Sequence, residues 1–182
     1  MKQGRIIIIT GSPGTGKSTT ASVVAKASSL SKSVHLHTDD FYHAIQKGAI
    51  PPFLPESQEQ NVIVIEAFLE AAKRFARGGF DVIIDGIVGP WFLPPWLKAV
   101  QENYEVHYII LRATKEETRK RAINRPKLDD DANMELVEKM WAQFNNLGRY
   151  ESNVIDTTNQ SIEQTISTIN AVIEKKSSLL TV

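Results

Sequence analysis

Gly11, Ser12, Pro13, Gly14, Thr15, Gly16, Lys17 and Ser18 follow the pattern G-x-x-x-x-G-K-[ST]. Glycines at those positions let successive backbone N–H groups turn toward one anion with no Cβ in the way, and a helix starting at Lys17 adds the partial positive charge of its N-terminus. The lysine is placed to reach the outer phosphates of a nucleoside triphosphate, and the Ser18 hydroxyl, with Thr19 beside it, suits a magnesium ion. These residues predict a site for ATP and Mg2+. The plainer reading is a glycine-rich turn ahead of a helix, with Lys17 and Ser18 coincidental.

Phosphate binding does not define a reaction, because switches, hydrolases and transferases share the loop. The chain has no N-K-x-D guanine-reading motif and no D-x-x-G after its third apolar run, which counts against a GTPase. A water-activating ATPase usually places Glu after the Asp that ends that run, whereas here Asp85 is followed by Gly86. A phosphotransferase instead needs a carboxylate to orient and deprotonate an acceptor hydroxyl, and cations to neutralise the group in transit. Asp39 and Asp40 answer the first need, just past the second strand, on the edge where open α/β sheets bind ligands. Arg121 and Arg125, at i and i+4, answer the second and share a face toward a segment able to close as a short lid over about 121–132. Asp85 can hold a magnesium-bound water or a substrate hydroxyl, so Ser18, Asp39 and Asp85 are the candidate metal donors. Each feature also has a bland reading: a helix cap for Asp39-Asp40, a solvated basic face for the arginines, a turn residue for Asp85.

The elements that must position these residues follow from hydrophobic period. Short β-branched runs alternate with segments of helical spacing, the pattern of a doubly wound α/β fold with a parallel sheet covered on both faces. Strands are expected at Arg5 to Thr10, Ser33 to Thr38, Asp81 to Asp85, Glu105 to Leu111 and Asn153 to Asp156. Helices are expected from Lys17, from a capping box of Ser57 with Gln60 up to Gly78-Gly79, after Thr114 with Glu117, through Leu136 to Leu147, and after Ser161 with Gln164.

Bulk properties narrow the partners. The 182 residues suit one domain and one core. With 21 basic and 21 acidic residues there is no global field to draw the chain onto nucleic acid or anionic lipid. Cysteine is absent, which excludes disulfides and thiolate chemistry. The apolar run Ile6 to Ile9 is too short for a signal segment or membrane span, so a soluble cytoplasmic protein, monomer or homodimer, is expected.

The phosphate loop, Asp39-Asp40-Phe41, Arg121 with Arg125, and Asp156-Thr157-Thr158 together resemble the small P-loop kinases, among them chloramphenicol phosphotransferase, gluconate kinase, shikimate kinase and zeta-toxin-like kinases. The resemblance spans nearly the whole chain. It implies a P-loop NTPase sheet of order 2-3-1-4-5, with Asp39 or Asp40 as base or substrate anchor and Asp39 the favoured of the two. It also implies that the turn Thr158, Asn159, Gln160 lies on the adenine side.

The acceptor side is expected between about 39–60 and 86–98. Only Lys47 is cationic between Phe41 and Gln60, too little to hold a second phosphate. Phe41, Tyr42, Phe53, Trp91 and Trp96 instead suggest a rigid, partly apolar pocket for an uncharged hydroxyl compound such as an antibiotic, nucleoside or sugar derivative. The rival for these aromatics is core packing. Two other functions stay open: a nucleotide or sugar-nucleotide kinase of zeta-toxin-like type, and a non-catalytic ATP-dependent switch.

Overall fold

The computed structural model describes residues 3–123 and 131–182, with side chains placed throughout except at 131–133. Ile6, Ile7, Ile8 and Ile9 are each at most 1 % exposed. A β-branched run buried on both faces is what a central parallel strand requires. That strand is β1, Arg5–Thr10, and around it β2 (Ser33–His37), β3 (Asp81–Asp85), β4 (Glu105–Arg112) and β5 (Val154–Asp156) assemble in the order β2-β3-β1-β4-β5, every pair parallel. The order is the one expected for a P-loop NTPase.

Alternation along β1 builds two cores. Ile6 and Ile8 pack with Phe68, Trp96 and Tyr108 on one face, and Ile7 and Ile9 with Val24, Ile109 and Ile169 on the other. The first core is roofed by α3 (Gln58–Arg77) and α4 (Pro94–Gln101), the second by α1 (Lys17–Lys26) and α7 (Ile162–Glu174). The remaining helices, α2 (Thr38–His43), α5 (Lys115–Ile123) and α6 (Asp131–Gln143), lie at the carboxyl ends of the strands or follow them.

Two capping patterns that look alike in sequence behave differently. Ser161 and Gln164 form a complete capping box on α7. Ser57 makes no cap bond: it closes the short 3-10 turn Pro55–Ser57, and its hydroxyl donates to Pro52 O at 2.9 Å and Leu54 O at 2.7 Å. Gln60 turns back to Ile50, accepting from its N–H at 2.8 Å and donating to its carbonyl at 2.7 Å. The expected box is thus replaced by a brace on the proline-rich loop, whose carbonyls have no ladder to join. The expected helix through Leu147 also stops early, at Gln143, while Phe144 and Leu147 remain buried beyond its end.

Short β5 pairs only with Ile110–Arg112. The earlier part of β4 is covered instead by the C-terminal segment running antiparallel, with Tyr108 N to Ser178 O at 2.8 Å and Leu180 N to Val106 O at 2.9 Å. This satisfies an edge that would otherwise be bare. Among the described residues no helix is long and apolar enough to cross a membrane.

Candidate nucleotide and acceptor site

The loop after β1 wraps the N-terminus of α1 in the conformation its glycines allow. Gly11 has φ 144° and Gly14 φ 86°. A Cβ on Gly11 would sit 2.1 Å from Leu111 O, and one on Gly14 3.0 Å from Thr118 O, so only glycine permits this approach. Inside the loop, Thr15 Oγ1 and Lys17 Nζ both donate to Ser12 O at 2.9 Å. Ser12 is 1 % exposed, yet its hydroxyl has no hydrogen-bond partner. A close-approach backbone cradle with an unpaired buried hydroxyl fits an anion with acceptor oxygens.

A groove of about 350 Å3 continues from Gly14, Gly16 and Thr19 to Arg121, Thr157 and Gln160. Arg121 donates to Glu117 Oε1 at 2.7 Å and to Thr157 O at 2.8 Å, which ties α5 to the turn after β5. Of the turn predicted to face adenine, Gln160 lines the groove. Thr158 is folded onto Asp156, with N at 2.8 Å and Oγ1 at 2.6 Å from Asp156 Oδ1, and Asn159 is exposed. Thr157 and Ser161, expected from sequence only as part of the Asp156-Thr157-Thr158 stretch and as a helix cap, line the groove in their place. Arg125 and most of the expected lid fall outside the described residues.

At the end of β3, Asp85 is fully buried and gathers three partners. Ser18 Oγ donates to its Oδ2 at 2.5 Å, and His35 Nε2 lies 2.6 Å from its Oδ1. His37 Nδ1 is 3.0 Å from Oδ2, without a hydrogen-bonding angle, and on its other side His37 Nε2 is 3.3 Å from Asp39 Oδ2. Burial pushes the Asp85 carboxyl up, but the contacts with His35, Ser18 and His37 outweigh it and hold the group below its ordinary range. Neither histidine was marked as functional from sequence. The available signal was their i, i+2 spacing on a strand, which puts both on one face.

Asp39 and Asp40 sit in the first turn of α2, which favours acidic side chains, and His37 is the residue before it. Their side chains diverge. Both are exposed, but Asp39 lines a cavity of about 390 Å3 whose walls include Tyr42, Phe53, Leu54, Ile65, Ile87 and Trp91, whereas Asp40 does not line it. Burial, and next the charge of Asp39, push the Tyr42 phenol up to about 12, so it stays protonated at neutral pH. Phe41 turns inward, its ring edge-on to Phe68 at 4.9 Å, and does not line the cavity. Trp96 is 0 % exposed, packed against Phe68 at 6.4 Å. The expectation that Phe41 and Trp96 touch an acceptor is therefore corrected: helix phase turns both into the core, while Tyr42 and Trp91 face outward.

Lys139 is the one cation lining this cavity among the described residues. Those residues also hold no cluster of three or more His, Asp or Glu arranged for a metal ion.

Comparison with known proteins agrees with the fold. A sugar kinase from Janibacter sp. HTCC2649 superposes with TM-score 0.66 at 21% identity, over 96% of each chain. The APS kinase of Mycobacterium tuberculosis, in complex with AMPPNP and APS, gives 0.69 at 16% identity, over 96% of this chain and 99% of its own. The tunicamycin resistance protein of Deinococcus radiodurans gives 0.65 at 20% identity, over 99% of this chain and 100% of its own. At these identities the shared feature is the fold. No curated protein matches the sequence. The family model for the AAA domain matches residues 7–140, a span that contains the phosphate loop, Asp39, Asp85 and Arg121, and the chain belongs to that family.

Proposed function

We propose that the protein is an ATP-dependent phosphotransferase that moves the γ-phosphate to a hydroxyl of a small, uncharged molecule. The observation that carries this reading is the placement of Asp39. It lies 3.3 Å from His37, which reaches Asp85 beside the phosphate loop, and it also lines the apolar cavity. One carboxylate of the acceptor cavity is thus linked through a histidine to the phosphate-loop side of the site.

In this reading the loop backbone, Ser12 and Lys17 bind the triphosphate, and Ser18 with Asp85 faces the metal. A bound magnesium ion supplies charge neutralisation across the outer phosphates. Asp39 orients the acceptor O–H and takes its proton as the acceptor oxygen bonds to the γ-phosphorus and the bond to the β-phosphate oxygen breaks, releasing ADP. Arg121 holds the turn after β5 against the nucleotide groove. The Tyr42 phenol is an available donor to the acceptor. With Lys139 the one lining cation among the described residues, an acceptor that already carries phosphate is disfavoured, because such groups are held by several cations.

The test is ADP release from Mg-ATP in the presence of neutral alcohols, nucleosides, sugars and antibiotics, beside nucleoside monophosphates. Release that depends on a neutral acceptor supports the reading. Hydrolysis indifferent to every acceptor contradicts it.

A further inference from the structure

Among the described residues that line the acceptor cavity, one buried side-chain polar atom has no hydrogen-bond partner. Asn61, in the first turn of α3, is 3 % exposed and lines the cavity. Its Nδ2 donates to Pro52 O and to Ser57 Oγ, each at 2.9 Å. A backbone carbonyl can only accept, so these contacts fix which end of the amide is nitrogen. Oδ1 is left buried with no hydrogen-bond partner.

Among the described residues nothing donates to that oxygen. The Ser57 hydroxyl is committed to Pro52 O and Leu54 O, and the Gln60 amide to Ile50. Leu54, Ile65, Ile87 and Phe92 form the hydrocarbon part of the cavity wall, which also carries Tyr42, Gln58, Lys139 and Gln143. Buried carbonyl oxygens in folded proteins are nearly always paired, so an orphan on a residue that lines a ligand cavity is a position that a ligand donor completes. The same amide braces the proline-rich loop, so its oxygen is held in place before anything binds.

We infer that Asn61 Oδ1 is a specificity-determining contact for the acceptor, taking a hydrogen bond from a second N–H or O–H on a neutral, largely apolar molecule whose reacting hydroxyl meets Asp39. This rests on the phosphotransferase reading above. The acceptor class is then an amphipathic hydroxy-amide or diol. A plain alcohol lacks the second donor, and a carboxylate or phosphate at that end sets its lone pairs against the carbonyl.

The test uses N-(ω-hydroxyalkyl)benzamides with spacers of two to six carbons, and the matching benzoate esters, in which oxygen replaces the N–H. Binding to the wild-type protein with Mg-AMPPNP is measured by calorimetry, and ADP release with Mg-ATP is measured separately. The best amide should bind about tenfold or more tighter than its ester, as expected where a site's polar group is left unpaired. Asn61→Leu should erase that difference, while Asn61→Asp, which keeps an acceptor oxygen but loses the brace on Pro52, should retain it. Equal affinity for amide and ester in the wild-type protein, or binding of neither, overturns the inference. Amides that bind with the expected preference but release no ADP contradict the phosphotransferase reading and leave the Asn61 contact standing.

Discussion

Ser18 Oγ donates to Asp85 Oδ2 at 2.5 Å, joining the first residues of α1 to the end of β3. Asp85 is thereby fixed between the phosphate loop and two histidines of β2, and His37 carries the connection on to Asp39.

His37 lines neither the cavity nor the nucleotide groove and instead contacts Asp39 and Asp85, so it acts by holding two carboxylates in register. Supporting contacts of this kind are worth about 10- to 100-fold in activity. His37→Ala should lower kcat about tenfold while affinity for an ATP analogue stays within about threefold. Steady-state kinetics beside calorimetric titration of Mg-AMPPNP checks this. A large loss of nucleotide affinity with unchanged kcat would place His37 on the nucleotide side instead.

The two tryptophans of the 86–98 region should separate cleanly. Trp96 is fully buried beside Phe68, whereas Trp91 is 45% exposed on the cavity wall. Trp96→Ala should cost about 3–5 kcal/mol, a fall in Tm on the order of 10 °C. Trp91→Ala should leave Tm nearly unchanged and raise acceptor KM. Calorimetric melts and acceptor titrations of both variants decide it.

His107 makes stability sensitive to acid. It is buried on β4 between Glu105 and Ser178 of the C-terminal segment. Burial pushes its imidazole below the ordinary value, helped by the positive charges of Arg5 and Lys176 and opposed by Glu105. The folded state therefore favours the neutral ring. A depressed pKa gives stability that is complete above the unfolded value of about 6.5 and is lost as pH falls through that value toward the folded one. Tm should drop between about pH 7.5 and pH 5.5, and the drop should shrink in His107→Gln. An equal pH slope in that variant would assign the effect elsewhere.

Much of this architecture is legible in the sequence where one local signal is strong. The Ile6 to Ile9 run, the glycine loop and Lys17 mark strand, turn and helix without help from the rest of the chain, and Ser161 with Gln164 marks the start of α7. Ser57 with Gln60 has the same spacing and fails. Pro51, Pro52 and Pro55 keep that loop out of regular structure, and the side chains of Ser57 and Gln60 are drawn to its carbonyls at Pro52, Leu54 and Ile50 rather than to the helix. The acceptor side was harder for a related reason. Phe41 and Tyr42 are neighbours of similar chemistry, and only the phase of α2 decides which one faces the cavity. The histidines needed one more fact, the β2–β3 register that sets His37 opposite Asp85, which is a tertiary property.

The divergence of Asp39 and Asp40 gives the most direct measurement. Asp39→Asn and Asp40→Asn should both bind Mg-AMPPNP as the wild-type protein does. Acceptor-dependent ADP release should fall about 10^2- to 10^4-fold in Asp39→Asn, the usual loss for a general base, and stay within about threefold of wild type in Asp40→Asn. Full turnover in Asp39→Asn with nucleotide binding intact would contradict the role given to that carboxylate, and with it the proposed transfer chemistry.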